Sequence, residues 1–252
     1  MTEPYDLAND FVRANDIEFH YALDGEPGKP TLALVNPGSH NLTCWEPVLD
    51  ALLTRYRVLR FDIRGTGKSG WGARGDFNFS QYADDLAAIM DALGLERAFV
   101  LGVAYGARTA ARFAKRHPHR LTALGLFDVA LTPPVEQTGQ RALGEEARAL
   151  LDAAGEPNVE RRKSWRFYEN RDAAALAHSA HEGEEDLSLL LGDLPVPVLV
   201  ACGRQDMNLS EAGRIAAAIP NCELEIMEMT GHGSIFFRPG LVASLVTEFA
   251  TA

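Results

Sequence analysis

The stretch Phe99-Val100-Leu101-Gly102-Val103-Ala104-Tyr105-Gly106-Ala107 reads as an apolar strand that turns sharply into a helix. Glycines two before and two after the apex let neighbouring backbones close on the corner, so that the central side chain stands at its tip. In the G-x-S-x-G form of this corner the tip is a serine that attacks a carbonyl carbon. Here it is Ala104, with neither a proton to lose nor a lone pair to offer. Asp206 follows a strand read over 196–202 after the turn Gly203-Arg204-Gln205, and His232 lies in the loop Thr230-Gly231-His232-Gly233-Ser234. An imidazole that moves protons needs a carboxylate to fix its tautomer, and corner, acid and imidazole occur here in the order of one known triad arrangement. Asp128, at the end of a strand over 121–127, is a rival for the acid.

Strands must carry these groups to one edge of a sheet. Apolar runs over 31–35, 57–61, 99–103, 121–127, 196–202 and 223–227 read as strands, and segments with helical periodicity over 45–53, 79–93, 105–115, 211–219 and 241–249 separate them. Ser80 is the expected N-cap of the helix over 79–93, and Gly94 its terminator. Two shorter strands, 11–14 and 17–22, flank Asn15-Asp16 as an antiparallel hairpin at the edge. Strands alternating with helices imply a mostly parallel sheet covered on both faces, with ligands gathered at the carboxyl ends of the strands. Asp206 and His232 both fall at such ends.

Residues 132–192 break the pattern. After Pro133-Pro134 the chain is charged and alanine-rich, without a strand signal, and is read as a helical insertion lying over the sheet. Its aromatic residues Trp165, Phe167 and Tyr168 either wall a substrate pocket or fasten the insertion to the body. The acidic run from Glu182 to Asp186 reads as a solvated helical surface.

With 252 residues and 46% hydrophobic content the chain fits one large single-core domain. A formal net charge of −11 argues against a nucleic-acid or anionic membrane surface and for a small neutral substrate. No apolar run reaches the ~18 residues of a membrane span, and the first residues show no export signal. Three cysteines, Cys44, Cys202 and Cys222, fit reduced thiols of a cytoplasmic protein, with the last two placed inside strands as core filler. No metal-ligand spacing and no cofactor motif is present: Gly65-Thr66-Gly67-Lys68-Ser69 lacks the first glycine of a phosphate-binding loop. Oligomeric state is left open.

The segment Asp62-Ile63-Arg64-Gly65-Thr66-Gly67-Lys68-Ser69 is similar to a D-x-R-G-x-G-x-S turn, and Gly231-His232 to a closing G-H pair. Together with the corner at 104 and Asp206, these residues make the chain resemble the α/β-hydrolase superfamily over nearly its whole length outside the insertion. The resemblance implies an α/β-hydrolase fold with a small helical cap. It puts the nucleophile position at Ala104, the acid at Asp206 and the base at His232. It also implies an oxyanion hole from the backbone N–H groups of Tyr105 and Ser39, the latter in the loop Asn36-Pro37-Gly38-Ser39-His40. His40 either touches ligand or is an exposed loop histidine.

Three readings follow for activity. In the first, the parent protein is a serine hydrolase of small or medium esters or lactones, and alanine replaces its nucleophile. In the second, the chain is a nucleophile-free lyase or cofactor-independent oxygenase with His232 as general base. In the third, it is a non-catalytic small-molecule receptor.

Overall fold

The structure is a computed structural model that describes residues 10–130, 139–166, 171–181, 184–186 and 191–249. Eight strands form one sheet in the order β1-β2-β4-β3-β5-β6-β7-β8. β1 (Asp10–Ala14) and β2 (Ile17–Asp24) form the antiparallel hairpin, and Asn15 and Asp16 take the positive φ values of 42° and 65° that its tight turn needs. β2 then pairs antiparallel with β4 (Arg57–Phe61). β4, β3 (Thr31–Val35), β5 (Ala98–Val103), β6 (Leu121–Phe127), β7 (Val198–Gln205) and β8 (Cys222–Gly231) run parallel.

The central strands are apolar on both faces because helices cover both. Ala33, Val35, Val100, Leu124 and Val200 share one core with α2 (Phe79–Ala92), α3 (Tyr105–Arg116) and α6 (Leu209–Ala218). Leu32, Leu34, Phe99, Leu101, Phe127 and Leu199 share the other with α1 (Glu46–Leu53) and α7 (Pro239–Phe249). Alternate residues of one strand thus feed opposite cores, as the two-residue repeat of a strand requires. Between β6 and β7 lie α4 (Gln140–Ala154) and α5 (Arg171–Ser179). α4 buries Ala147 and Leu151 against Phe237.

The Asp62–Ser69 turn is scaffolding. Asp62 accepts hydrogen bonds from Leu42 N (2.7 Å) and Lys68 N (2.9 Å) and pairs with His20 Nδ1 at 2.7 Å. Arg64, 2% exposed, forks onto Asp85 at 2.9 and 2.7 Å. Gly67 is obligatory because a Cβ there would strike the Asp62 carboxylate. One product of this network is the placement of Ile63 and Thr66, which line the cavity beside Ala104.

Several expectations shift. The N-cap of α2 is Asn78, not Ser80: its backbone is extended, so its side chain can accept from Gln81 N at 2.8 Å, while Ser80 already lies inside the helix. β7 begins two residues later than the strand read over 196–202, and both β7 and β8 run on past their apolar runs, because Gly203 allows the backbone of Thr230 to come so close that a Cβ would collide with its carbonyl oxygen. Cys222 is half-buried at the start of β8, so only Cys202 of the strand pair is core. Of the acidic run, Glu184 is not solvated: its side chain is 9% exposed and paired with Arg112 at 2.8 Å. Residues 184–186 are not helical.

Backbone packs directly on backbone at the corner after β5 as well. A Cβ on Gly106 would run into the carbonyl oxygen of Val35, and one on Gly102 into that of Gly106. Gly106→Ala is therefore expected to cost about 3 kcal/mol or more, since backbone cannot yield as a side chain does. Gly213→Ala, in the interior of α6 with nothing within 4 Å of the added carbon, should instead stabilise by about 0.5–1 kcal/mol. Urea unfolding of both variants checks the contrast.

Candidate active site

β5 delivers the chain to Ala104, whose φ of 52° and ψ of −110° lie outside the regions an L-residue favours. Such a conformation costs about 1–3 kcal/mol and persists only where its surroundings impose it. They do so here through Ala104 N, which donates to Phe127 O at 2.8 Å, and Ala104 O, which accepts from Ala107 N at 3.1 Å. Tyr105 is the first residue of α3. The first N–H groups of a helix have no partner inside it and carry its partial positive charge, so they point at whatever sits above the corner.

At the ends of β7 and β8, His232 Nδ1 and Asp206 Oδ2 lie 2.9 Å apart. Asp206 is 4% exposed, and its other oxygen accepts from Asn208 N at 3.0 Å. Asp128, the rival acid, is fully buried, and its carboxylate turns to the backbone: Oδ2 accepts from Ser234 N at 2.7 Å, while Oδ1 has no partner among the described residues. Burial, and then the neighbouring Asp206 charge, hold the Asp128 carboxyl well above the usual carboxylate range. For His232, burial pulls the pKa down, but the Asp206 hydrogen bond and charge and the Asp128 charge outweigh it, so the imidazole titrates above its ordinary value.

Ala104 and His232 line one cavity of about 420 Å³, a size suited to a small molecule. Ser39, His40 and Tyr105 line it too. Ser39 has φ of 59°, and Gly38 packs on the Tyr105 side chain, so this loop is docked on the start of α3. Tyr105 Oη donates to Ala177 O at 2.8 Å, which ties the corner to α5. The His40 ring hydrogen-bonds Gly38 O at 2.7 Å, and burial pushes its pKa down to about 4, which leaves it neutral at pH 7.

Trp165 is a correction. It is 3% exposed and not among the cavity-lining residues; its indole N–H donates to Glu46 Oε2 at 3.1 Å and its ring stacks on Phe236. Of the two roles open to it, it takes the fastening one. Phe167 and Tyr168 lie outside the described residues. The wall also contains Arg108, Arg161, His178 and His181, which sequence reasoning passed over. Only Arg108 left a trace: an arginine one helical turn after position 104 in an alanine-rich helix.

One group of candidate metal ligands converges among the described residues: Asp128, Cys202 and Asp206, all buried. Its donors do not fit a cation. Burial raises the Cys202 thiol far above its ordinary value, so it keeps its proton, and Asp206 is committed to His232.

The family model for the alpha/beta hydrolase fold matches residues 30–142. RutD of Caulobacter sp. (strain K31), named as a candidate carbamate hydrolase, is 30% identical over 232 residues, covering 82% of this chain and 85% of that protein. The chain belongs to the α/β-hydrolase superfamily. Among solved structures of that fold, the enol-lactonase from Burkholderia xenovorans LB400 is similar with a TM-score of 0.79 and 26% identity, covering 96% of this chain and all of that one (100%). A hydrolase from Pseudomonas aeruginosa PA01 matches with a TM-score of 0.81 and 27% identity, over 98% and 100% of the two chains. No described helix of this α/β-hydrolase is long and apolar enough to cross a membrane.

Asp206 does more than Asp128 to raise His232, and an NMR titration of the His232 ring should show a midpoint above 6.5. In Asp206→Asn the burial penalty prevails and the midpoint should fall below that value. A midpoint unmoved by the substitution would mean that the carboxylate does not set the charge of the ring.

Proposed function

We propose that this α/β-hydrolase is built for nucleophilic cleavage of a small carboxylic ester or lactone, and that alanine at 104 holds the place of a serine nucleophile. The observation that carries the reading is that the strained backbone at Ala104 is kept beside a hydrogen-bonded His232–Asp206 pair on the same cavity. A corner with no further use could relax its strain. In the serine form, the hydroxyl at 104 attacks the substrate carbonyl while His232 Nε2 takes its proton, and Asp206 steadies the imidazolium. The backbone N–H groups of Tyr105 and Ser39 hold the oxyanion. His232 then returns the proton to the leaving oxygen, and water repeats the attack on the acyl-enzyme with the same base.

The substrate class is supported by the neighbours, which act by name on an enol-lactone and on a carbamate, each a carbonyl bonded to a heteroatom. The three free cysteines accord with a cytoplasmic site of action.

A second reading is favoured by the same pair. His232 has a carboxylate partner and a raised pKa with a methyl group where a hydroxyl would stand, which equips it to take a proton from a substrate directly.

Two variants separate the readings. Ala104→Ser should raise the hydrolysis of p-nitrophenyl esters and simple lactones steeply; losing the nucleophile of a serine hydrolase costs on the order of 10⁶ in kcat. No gain over the alanine form would count against the serine mechanism. Turnover by the alanine form that vanishes in His232→Ala would establish the base mechanism instead. Binding without turnover in both forms would make the chain a receptor.

A further inference from the structure

Arg108 sits on α3 one helical turn beyond Ala104, so its Cα is about 6 Å along the helix axis from the corner. It is 2% exposed and lines the cavity. Its Nη2 donates to Ala130 O at 2.9 Å, while Nη1 has no hydrogen-bond partner among the described residues. An unmade hydrogen bond on a buried charged donor is costly, and proteins rarely leave one without a use. The carboxylates of Glu184, Glu211 and Asp186 are near enough to support the charge of Arg108, yet none satisfies Nη1.

His181 stands on the same wall, its ring packed on Phe79 (5.2 Å between centroids) and Tyr105 (5.3 Å). Its Nδ1 is also buried and without a partner among the described residues. Burial, then the charges of Arg108 and His178, push its pKa down to about 4, so at pH 7 it is a neutral ring with one N–H to donate. Two buried nitrogens on one wall therefore lack a partner among the described residues, and in its Nδ1–H tautomer His181, like Arg108, lacks an acceptor. Asp128, the acid among the described lining residues, does not supply it, since it faces Ser234, and nearby Asp206 faces His232.

We propose that the cavity takes a substrate that carries a carboxylate besides its scissile carbonyl, and that the Arg108 guanidinium and the His181 ring, both on its wall, turn their unpartnered nitrogens to receive that carboxylate. A planar guanidinium is the side chain best matched to a carboxylate, and a water-excluding wall strengthens the contact. Arg161, on the cavity wall near the His232 carbonyl, adds to the positive field: its pKa is lowered to about 10 by burial and then by Arg148 and Arg166, with no acid offsetting them. This assignment deepens the ester or lactone reading by naming a second group on the substrate, but its binding half stands without catalysis.

The alanine form allows the test, since bound ester stays intact. Its affinity for the monoethyl esters of succinate, glutarate and adipate is measured by NMR titration at pH 7.5 against their primary-amide isosteres, which keep the shape and lose the charge. At least one acid should bind about tenfold tighter than its amide or better. Arg108→Gln should abolish that preference, and Arg108→Lys, which keeps the charge without the fork, should retain part of it. Equal affinities for acid and amide, no saturable binding of any acid, or a preference that survives Arg108→Gln overturns the proposal. A preference lost in Arg161→Gln but kept in Arg108→Gln overturns it as well.

Failure here is distinguishable from failure of the hydrolase reading. An Ala104→Ser protein that cleaves acid and amide esters with equal kcat/KM keeps the hydrolase and discards the carboxylate site. A silent Ala104→Ser protein with an Arg108-dependent preference does the reverse.

Discussion

The contact on which the rest depends is backbone against backbone, where the start of α3 crosses the end of β3. Gly106 has no room for a Cβ because the carbonyl oxygens of Val35 and Asn36 occupy the space. That approach fixes the angle between β5 and α3, and with it the positive φ of Ala104. It also brings the loop after β3 onto the corner, with Gly38 against Tyr105. Asn36, buried beside the crossing, extends the lock: its amide donates to Phe61 O at 2.8 Å, and its oxygen accepts from the Trp45 indole at 2.8 Å. The ends of β3, β4 and β5 are thereby set as one rigid unit. Groups on them keep their spacing without help from a ligand, which is what preorganised stabilisation of a developing charge requires.

The other half of the site is held by charge. Two buried carboxyls lie near one imidazole, and they cannot both ionise cheaply in so dry a place. Their division of labour follows from backbone direction. Asp128 has a φ of 55° and reaches the N–H of Ser234, so it anchors the loop that carries His232 by its main chain. Asp206 is held by Asn208 N and reaches the ring itself. Asn208 closes the circuit, since its side chain donates to Asp128 O at 2.9 Å. The acid that anchors the loop is the one that leans towards its neutral form, and the other acid is the one that faces the ring.

Most of the fold was legible because its signals are local. β3 and β4 match their apolar runs residue for residue, and Gly94 stops the second helix as a glycine with φ of 66° does. The corner was legible from two glycines at fixed offsets. What escaped depends on contacts between distant parts of the chain. The length of β7 and β8 rests on Gly203 meeting Thr230, and the burial of Glu184 on Arg112, 72 residues away in sequence. Trp165 was ambiguous because an aromatic residue in an insertion can face inwards or downwards, and only its stacking on Phe236 decides. Arg108 and His181 belong to different elements, and nothing in the order of residues says that both lack a partner.

The clearest divergence between chain-wide and local reading concerns charge. A net charge of −11 speaks for a neutral substrate if the protein is treated as a uniform body. Charges in solvent are screened over about 8 Å at physiological ionic strength, so the acidic exterior contributes little at the floor of a cavity. There the field comes from the guanidiniums of Arg108 and Arg161 and the start of α3. The exterior would slow the approach of an anion, and the interior would hold it once seated. Selectivity for an acid under these conditions lies in slow release and not in fast capture, because steering acts through long-range potential while retention acts through desolvated contacts.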